Sequence, residues 1–158
     1  MIEKIPMTPE GHARLAAELK RLKNEERPAV IRAIAAAREH GDLSENAEYH
    51  AARERQGFIE GRLMELEDKL GRAEVIDVSE LSGSKVVFGA RVKLADEETD
   101  EEVDYQIVGP EESDIEQGLL SIQSPVARAL LGKEAGDSVE VHTPRGVRYF
   151  EVLKVSFG

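Results

Sequence analysis

The chain has 158 residues, 41% of them hydrophobic, enough for one ordinary domain or two small ones around a packed core. It contains no cysteine, which excludes disulfides and thiolate zinc sites and leaves nothing to suggest an oxidising compartment. A formal net charge of -11 opposes binding to free nucleic acid and to anionic membrane, because unspecific binding to either depends on accumulated lysine and arginine.

Any nucleic-acid role must therefore be local or borrowed from a partner. The charge is also uneven. Residues 1–78 carry 13 basic and 16 acidic side chains, a balance of -3, while residues 79–158 carry 8 and 16, a balance of -8. The opening MIEKIPMTPEGH has an early acid and no apolar run of signal-peptide length, and no later segment approaches membrane-spanning length. A cytoplasmic protein with no membrane partner is expected.

Leu15, Leu19 and Leu22 follow the i, i+4, i+7 spacing of one helical face, with Thr8 as N-cap and Pro9 at the first helical position. That predicts a helix near residues 8–26. Pro28 removes a backbone donor and marks a bend or restart, after which Val30, Ile31, Ile34 and Ala37 renew the apolar face as far as His40, and Gly41 ends it. Tyr49, Ala52, Gln56, Ile59, Leu63, Leu66 and Leu70 then alternate steps of three and four, the spacing of a coiled-coil seam that runs to Arg72. Two seams with so short a connection must fold back on each other into a rod of about 40 Å, at roughly 1.5 Å per residue. Residues 41–48, with Asp42, Glu45 and Glu48, become the tip of a helical hairpin.

Past the turn-rich SELSGSK the period changes. VVFGARVKL, EVDYQIVG, SVEVHTP and VRYFEVLKV read as strands of a small antiparallel sheet, with a hairpin turn at Pro144 to Gly146. SPVARALLGK offers one short helix, with Ser124 as N-cap, Pro125 at the first position and Gly132 at the end. The acidic run from Asp96 to Glu102 is expected to be a solvated hairpin loop, since blocks of like charge seldom bury. The fold class is α+β, a helical coiled-coil hairpin over residues 1–78 followed by a sheet domain over residues 79–158.

The tip admits two readings. Asp42 and Glu45 have the D-x-x-E spacing of a capping box, in which Asp42 caps the second helix and Glu45 returns to the cap's backbone. Alternatively, these exposed carboxylates reach toward a metal ion. Magnesium takes about six oxygen ligands, so two carboxylates suffice only if water, substrate or a partner supplies the rest. The two readings are compatible, and Leu43 between the acids suggests contact with a partner. His40 and His50 flank the tip, where solvent or partner contact is expected before a metal role, and His12 and His142 lie elsewhere. Arg38, Arg53 and Arg55 lie behind the tip, placed either to steer a phosphate backbone or to bridge to Glu39, Glu48 and Glu54. The chain has no phosphate-cradling glycine loop and no cysteine nucleophile.

The segments IPMTPEG, AREHGDLSENAEYHAARERQGFIEGR, VVFGARV and SPVARALLGKEAGDSVEV together resemble the Gre family of bacterial transcript cleavage factors, over essentially the whole chain. The resemblance implies an FKBP-like C-terminal domain that binds RNA polymerase, and a coiled coil inserted into the secondary channel, where the 3′ end of backtracked RNA emerges. It implies that Asp42 and Glu45 help hold a magnesium ion shared with the polymerase, which performs the cleavage. It further implies tip contacts from Leu43, Ser44, Asn46 and Tyr49, RNA contact by Arg53 and Arg38, and polymerase docking through Ser124, Pro125, Val126, Ala127 and Arg128. The free protein is expected to be a monomer with no stably bound cofactor and no strong affinity for free nucleic acid. A capped helix covering the sheet is the plainer account of residues 124–131 and explains Leu130 and Leu131 better than Ser124 or Arg128.

Two other functions compete. One is a polymerase regulator that occludes the channel without assisting catalysis, leaving the acids only a capping role. The other is a prolyl isomerase or chaperone, motivated by the FKBP-like fold alone; fold does not confer that activity. The C-terminal half supplies only Phe88, Tyr105, Tyr149, Phe150 and Phe157 as aromatics for a proline pocket.

Overall fold

The structure, a computed structural model, describes residues 3–42, 45–77 and 83–157. It divides into two compact units, His12–Arg72 and a second made of Met1–Gly11 with Ala73–Gly158. The change of composition at residue 79 is thus a boundary in sequence. In packing, the first residues lie with the sheet-bearing half, because β1 (Ile5–Met7) pairs in parallel with β2 (Ala73–Val75). The Ile76 N–H extends that tie by donating to the Met7 carbonyl at 2.9 Å.

Helix α1 (Pro9–Arg21) starts where Thr8 and Pro9 predict it, with the Gly11 N–H donating to Thr8 Oγ1 at 3.1 Å. The chain stays helical through Leu22–Glu26, but as a π turn, and continues as α2 (Arg27–Arg38). The Arg27 N–H donates five residues back, to the Leu22 carbonyl. The bend or restart expected at Pro28 takes the form of a widened turn just ahead of it, with α2 starting at Arg27, and the extra residue shows in the seam. Leu15 and Leu22 are seven apart and Val30 and Ala37 seven apart, yet Leu22 and Val30, both buried, are eight apart. Adding one residue to a helix shifts the phase of its apolar face, and a π turn absorbs that shift locally. Ile31, expected on the apolar face, is 51% exposed, because Val30, Ile34 and Ala37 already fill the seam.

Helix α3 (Ala47–Gly71) returns antiparallel, burying Ala52, Ile59, Leu63 and Leu66, with Tyr49, Gln56 and Leu70 half-buried. Its seam is the one the heptad spacing predicts. Ion pairs cross between the arms: Arg27 Nε to Glu60 Oε1 at 2.7 Å, Arg62 Nε to Glu18 Oε2 at 2.7 Å, and Arg55 to Glu26 at 2.7 Å. Hydrogen bonds from Arg62 and Arg27 hold the Glu18 and Glu60 carboxyls below the usual range. These pairs are partly exposed and add little each to stability; the buried leucine seam supplies most of it.

The second unit carries a five-stranded sheet in the order β5-β4-β3-β7-β6, with β3 (Arg91–Asp96), β4 (Glu102–Val108), β5 (Leu119–Ser121), β6 (Ser138–Thr143) and β7 (Gly146–Ser156). It is antiparallel from β4 to β6, and β5 adds a parallel edge beside β4. VVFGARVKL contributes less strand than expected, since only its last part, from Arg91, joins the sheet. Short helix α4 (Pro125–Leu130) covers one face, where Val92, Leu94, Ile107, Val139, Val152 and Leu130 form the core. The two-residue β6–β7 connection at Pro144 and Arg145 is as predicted.

The acidic run departs from expectation at its first member. Glu97 to Glu101 are exposed, but Asp96 is 6% exposed. Its carboxylate accepts from the Arg148 guanidinium and from the Glu98 N–H at 2.8 Å. A charge buries here because a guanidinium on the neighbouring strand and two backbone donors replace its water.

Candidate functional site

The tip is built by the ends of two helices. Helix α2 loses its ladder after Arg38, and Gly41 takes φ 98°, a left-handed turn that a glycine makes without strain. Helix α3 begins at Ala47, and its N-cap is Asn46, whose Oδ1 accepts from the Tyr49 N–H at 3.1 Å. The same side chain donates through Nδ2 to the Ala37 carbonyl at 2.6 Å. One amide thus caps one helix and bonds the last turn of the other, closing the hairpin.

This corrects the capping-box expectation. The helix begins after both acids, so neither Asp42 nor Glu45 is its cap. Asparagine caps as well as aspartate, and the D-x-x-E signal lies four residues upstream of the working cap. Asp42 and Glu45 are both exposed. They line a shallow concavity with His40, Asn46, Ala47 and Glu48, in which His40 Nε2 lies 3.6 Å from Glu48 Oε2 across the tip. Among the described residues no three His, Asp or Glu side chains converge to hold a metal ion. Leu43 and Ser44 lie outside the described residues.

Behind the tip, the Arg38 guanidinium lies 5.9 Å from the centre of the half-buried Tyr49 ring, a cation–π contact. Tyr49 also meets His50 edge-on at 5.5 Å. Arg38 and Arg53 flank a second shallow groove floored by Ile34, Ala35 and Gln56. Arg55 is different, being committed to Glu26, a partner outside the three glutamates expected. The chemistry the tip can offer is two exposed carboxylates between helix ends that Asn46 ties together, with two arginines one helical turn or more behind.

At α4, Ser124 Oγ accepts from the Ala127 N–H at 3.2 Å and donates to the Ser121 carbonyl at 2.7 Å, so it is the cap that the sequence predicts. Pro125 and Arg128 are exposed and Val126 is half-buried. Ala127 is fully buried in the core with Leu130, so its side chain is not available to a partner. Leu131, expected to cover the sheet, is 36% exposed.

Sequence reasoning missed a second cap. Glu112, 4% exposed, accepts from the Thr8 N–H at 2.8 Å, from the Thr8 hydroxyl, and from the Gly109 N–H at 2.8 Å. No local pattern could reveal a glutamate 104 residues from the threonine it holds.

A family model described as the N-terminal domain of transcription elongation factors matches residues 5–75, and the GreA/GreB C-terminal model matches residues 81–157. The chain is similar to the curated transcription elongation factor GreA of Phenylobacterium zucineum, 64% identical over 156 residues and covering 99% of both chains. The factor of the same name from Rhodospirillum rubrum is 62% identical over 157 residues, covering 99% of this chain and 100% of its own. Among solved structures, GreA factor homolog 1 of Thermus thermophilus matches at 30% identity with a TM-score of 0.45, over 98% of this chain and 99% of that one.

Proposed function

The chain belongs to the GreA/GreB family of transcription elongation factors, and on that premise we propose that it stimulates RNA polymerase to cleave backtracked transcripts, with the hairpin tip as the working end. As an elongation factor it acts on RNA polymerase. The finer reading is that the hairpin enters the secondary channel, meets the 3′ end of the backtracked RNA, and lends Asp42 and Glu45 to a magnesium ion held jointly with the polymerase.

The observation that carries this reading is the identity of the cap. Asn46 does the work of starting α3, so the two acids are not needed to cap that helix and stand exposed at the tip. Their oxygens suit a hard cation such as magnesium, and two carboxylates leave most of its roughly six positions for water and partner groups. When bound, such an ion lowers the pKa of a coordinated water and offsets charge at the phosphate.

The chain's own part is positional. Asn46 ties the start of α3 to the last turn of α2 through Ala37, and Asp42 and Glu45 present carboxylate oxygens beyond the helix end. Arg38 and Arg53, behind them, are placed to meet RNA phosphates once the tip is enclosed by the polymerase, where the overall charge of -11 matters less than the local pair. Exposed Pro125 and Arg128 are the side chains of α4 best placed for docking. No helix among the described residues is long and apolar enough to cross a membrane.

The test is a backtracked polymerase complex with 3′-labelled RNA and magnesium, given wild-type protein or Asp42→Asn. Release of short 3′ fragments by wild type, and not by the variant, is the expected result. Equal release by both would remove the metal role, and release by neither, with polymerase binding intact, would leave a regulator that only occludes the channel.

A further inference from the structure

The bare face of the five-stranded sheet carries a charge arrangement that the hairpin does not explain. Val92 and Leu94 point into the core, so Arg91 and Lys93 lie on the opposite face of β3. Lys93 pairs directly with Lys154 of β7, and Arg91 with Ser156. Like charges directly opposite in an antiparallel pair are destabilising, and among the described residues carboxylates offset Lys93 but not Lys154. Lys93 has Asp104 opposite it on β4 and lies 3.8 Å from Glu102, while Arg91 and Lys154 make no ion pair among the described residues. These three cations line a pocket of about 330 Å³, in whose wall Asp104 is the one carboxylate among the described residues. The wall is therefore +2, from three cations and one anion, in a half of the chain that carries -8.

We propose that this pocket binds a compact, multiply charged phosphate anion, of the diphosphate class. Arg91 offers a planar fork suited to two phosphate oxygens, and Lys93 and Lys154 add two ammonium groups on the same face. The amides of Gln106 and Gln117 and the hydroxyl of Ser156, also in the wall, supply neutral donors. The volume lies at the small end of ligand sites. Compactness follows from the surroundings, since an extended polyanion would have to run over the acidic surface beyond the pocket, whereas a small anion meets only its positive wall. Nothing in this site depends on the role assigned to the tip.

The experiment is a titration of the full-length, nitrogen-15-labelled chain with inorganic diphosphate, with ADP, and with a single-stranded oligonucleotide, followed by amide shifts and calorimetry. Diphosphate is expected to bind saturably, in the millimolar range or tighter, shifting amides at residues 91–93, 104–106 and 154–156. The Lys93→Gln/Lys154→Gln variant should weaken it by about tenfold or more through loss of two charge-assisted contacts, and Arg145→Gln, in the β6–β7 turn, should not. Equal affinity for ADP and diphosphate would place recognition in the phosphates alone, and tighter binding of ADP would add the nucleoside. Lys154→Gln alone should melt no lower than wild type, since it removes the like charge facing Lys93 and leaves Lys93 its contact with Glu102. Absence of saturable shifts up to about 10 mM diphosphate, binding that survives the double substitution, or tighter binding of the oligonucleotide through the same residues would each overturn the proposal.

Discussion

Thr8 and Glu112, 104 residues apart, close a capping box across the sequence. In a local capping box the glutamate sits at the third helical position and reaches back to the N–H of the cap. Here that third position is Gly11, whose N–H bonds Thr8 Oγ1, and Glu112 arrives from the loop after β4 to take the Thr8 N–H and hydroxyl. A Cβ on Gly11 would lie 1.9 Å from Glu112 Oε1, and one on Gly109 would lie 2.0 Å from the Pro6 carbonyl. Both glycines make room for this contact.

Gly11→Ala should therefore reverse the ordinary helix preference. Alanine favours a helix interior by about 1 kcal/mol over glycine, but here the methyl displaces a buried carboxylate, and overpacking costs roughly 1–3 kcal/mol. Gly57→Ala and Gly61→Ala on α3, where nothing lies within 4 Å of the added carbon, should stabilise by up to about 1 kcal/mol. Denaturant melts of the three variants check the sign. Glu112→Gln should lower stability by about 1–3 kcal/mol, because an amide nitrogen would face donors that now find an acceptor.

Asn46 makes a prediction that separates structure from function at the tip. Asn46→Ala removes a cap worth about 0.5–2 kcal/mol along with the bond to the Ala37 carbonyl. Asn46→Asp keeps a capping acceptor but loses that donor and sets a carboxylate against a carbonyl, so it too should lower the melting temperature. Asp42→Asn should lower the melting temperature by less than Asn46→Ala does, because the cap is Asn46. A drop for Asp42→Asn equal to that of Asn46→Ala would restore the aspartate as the structural residue.

The hairpin was legible because its periodicity is local: Leu63 and Leu66 announce the seam, and Thr8 and Ser124 announce their caps. D-x-x-E points four residues upstream of the true cap because it is a complete local signal, while Asn46 caps through Tyr49 with no glutamate partner and is fixed further by Ala37, on the other arm. Asp96 was read with its acidic neighbours because Arg148 is distant in sequence and adjacent only in the sheet. The basic pocket escaped for the same reason, with Arg91, Lys93 and Lys154 scattered until strand register aligns them. Parallel pairs such as β1 with β2 leave no periodic trace at three residues each.

The Asp96–Arg148 pair fixes a pH dependence. The Arg148 hydrogen bond, followed by the Glu98 N–H, holds the Asp96 carboxyl below its ordinary value. A group whose pKa is depressed by folding contributes stability that is full above its unfolded value, near 4, and is lost as pH falls through the folded one. Asp96→Asn should therefore melt below wild type at neutral pH, and the gap should narrow as pH drops below about 4. A gap of constant size across that range would mean that the carboxylate charge is not what Arg148 holds.

The π turn at Leu22–Glu26 and Pro28 should prove to be one feature. Proline inside an uninterrupted α-helix costs about 3 kcal/mol, since its ring strikes the carbonyl four residues back and its missing N–H leaves a gap in the ladder. The π turn ends at Glu26, two residues before Pro28, and it also absorbs the eight-residue step from Leu22 to Val30. Deleting exposed Lys23 makes that step seven and removes the need for the extra residue, but it leaves Pro28 within a continuous α-helix. Deletion alone should therefore destabilise the hairpin by roughly the proline cost, and Pro28→Ala alone should change little, because the seam still demands the extra residue. The combined variant should recover wild-type stability or exceed it, with an interaction energy in the range of about 0.5–3 kcal/mol that marks coupled sites. Additive losses in thermal melts would show that the bulge and the proline are independent.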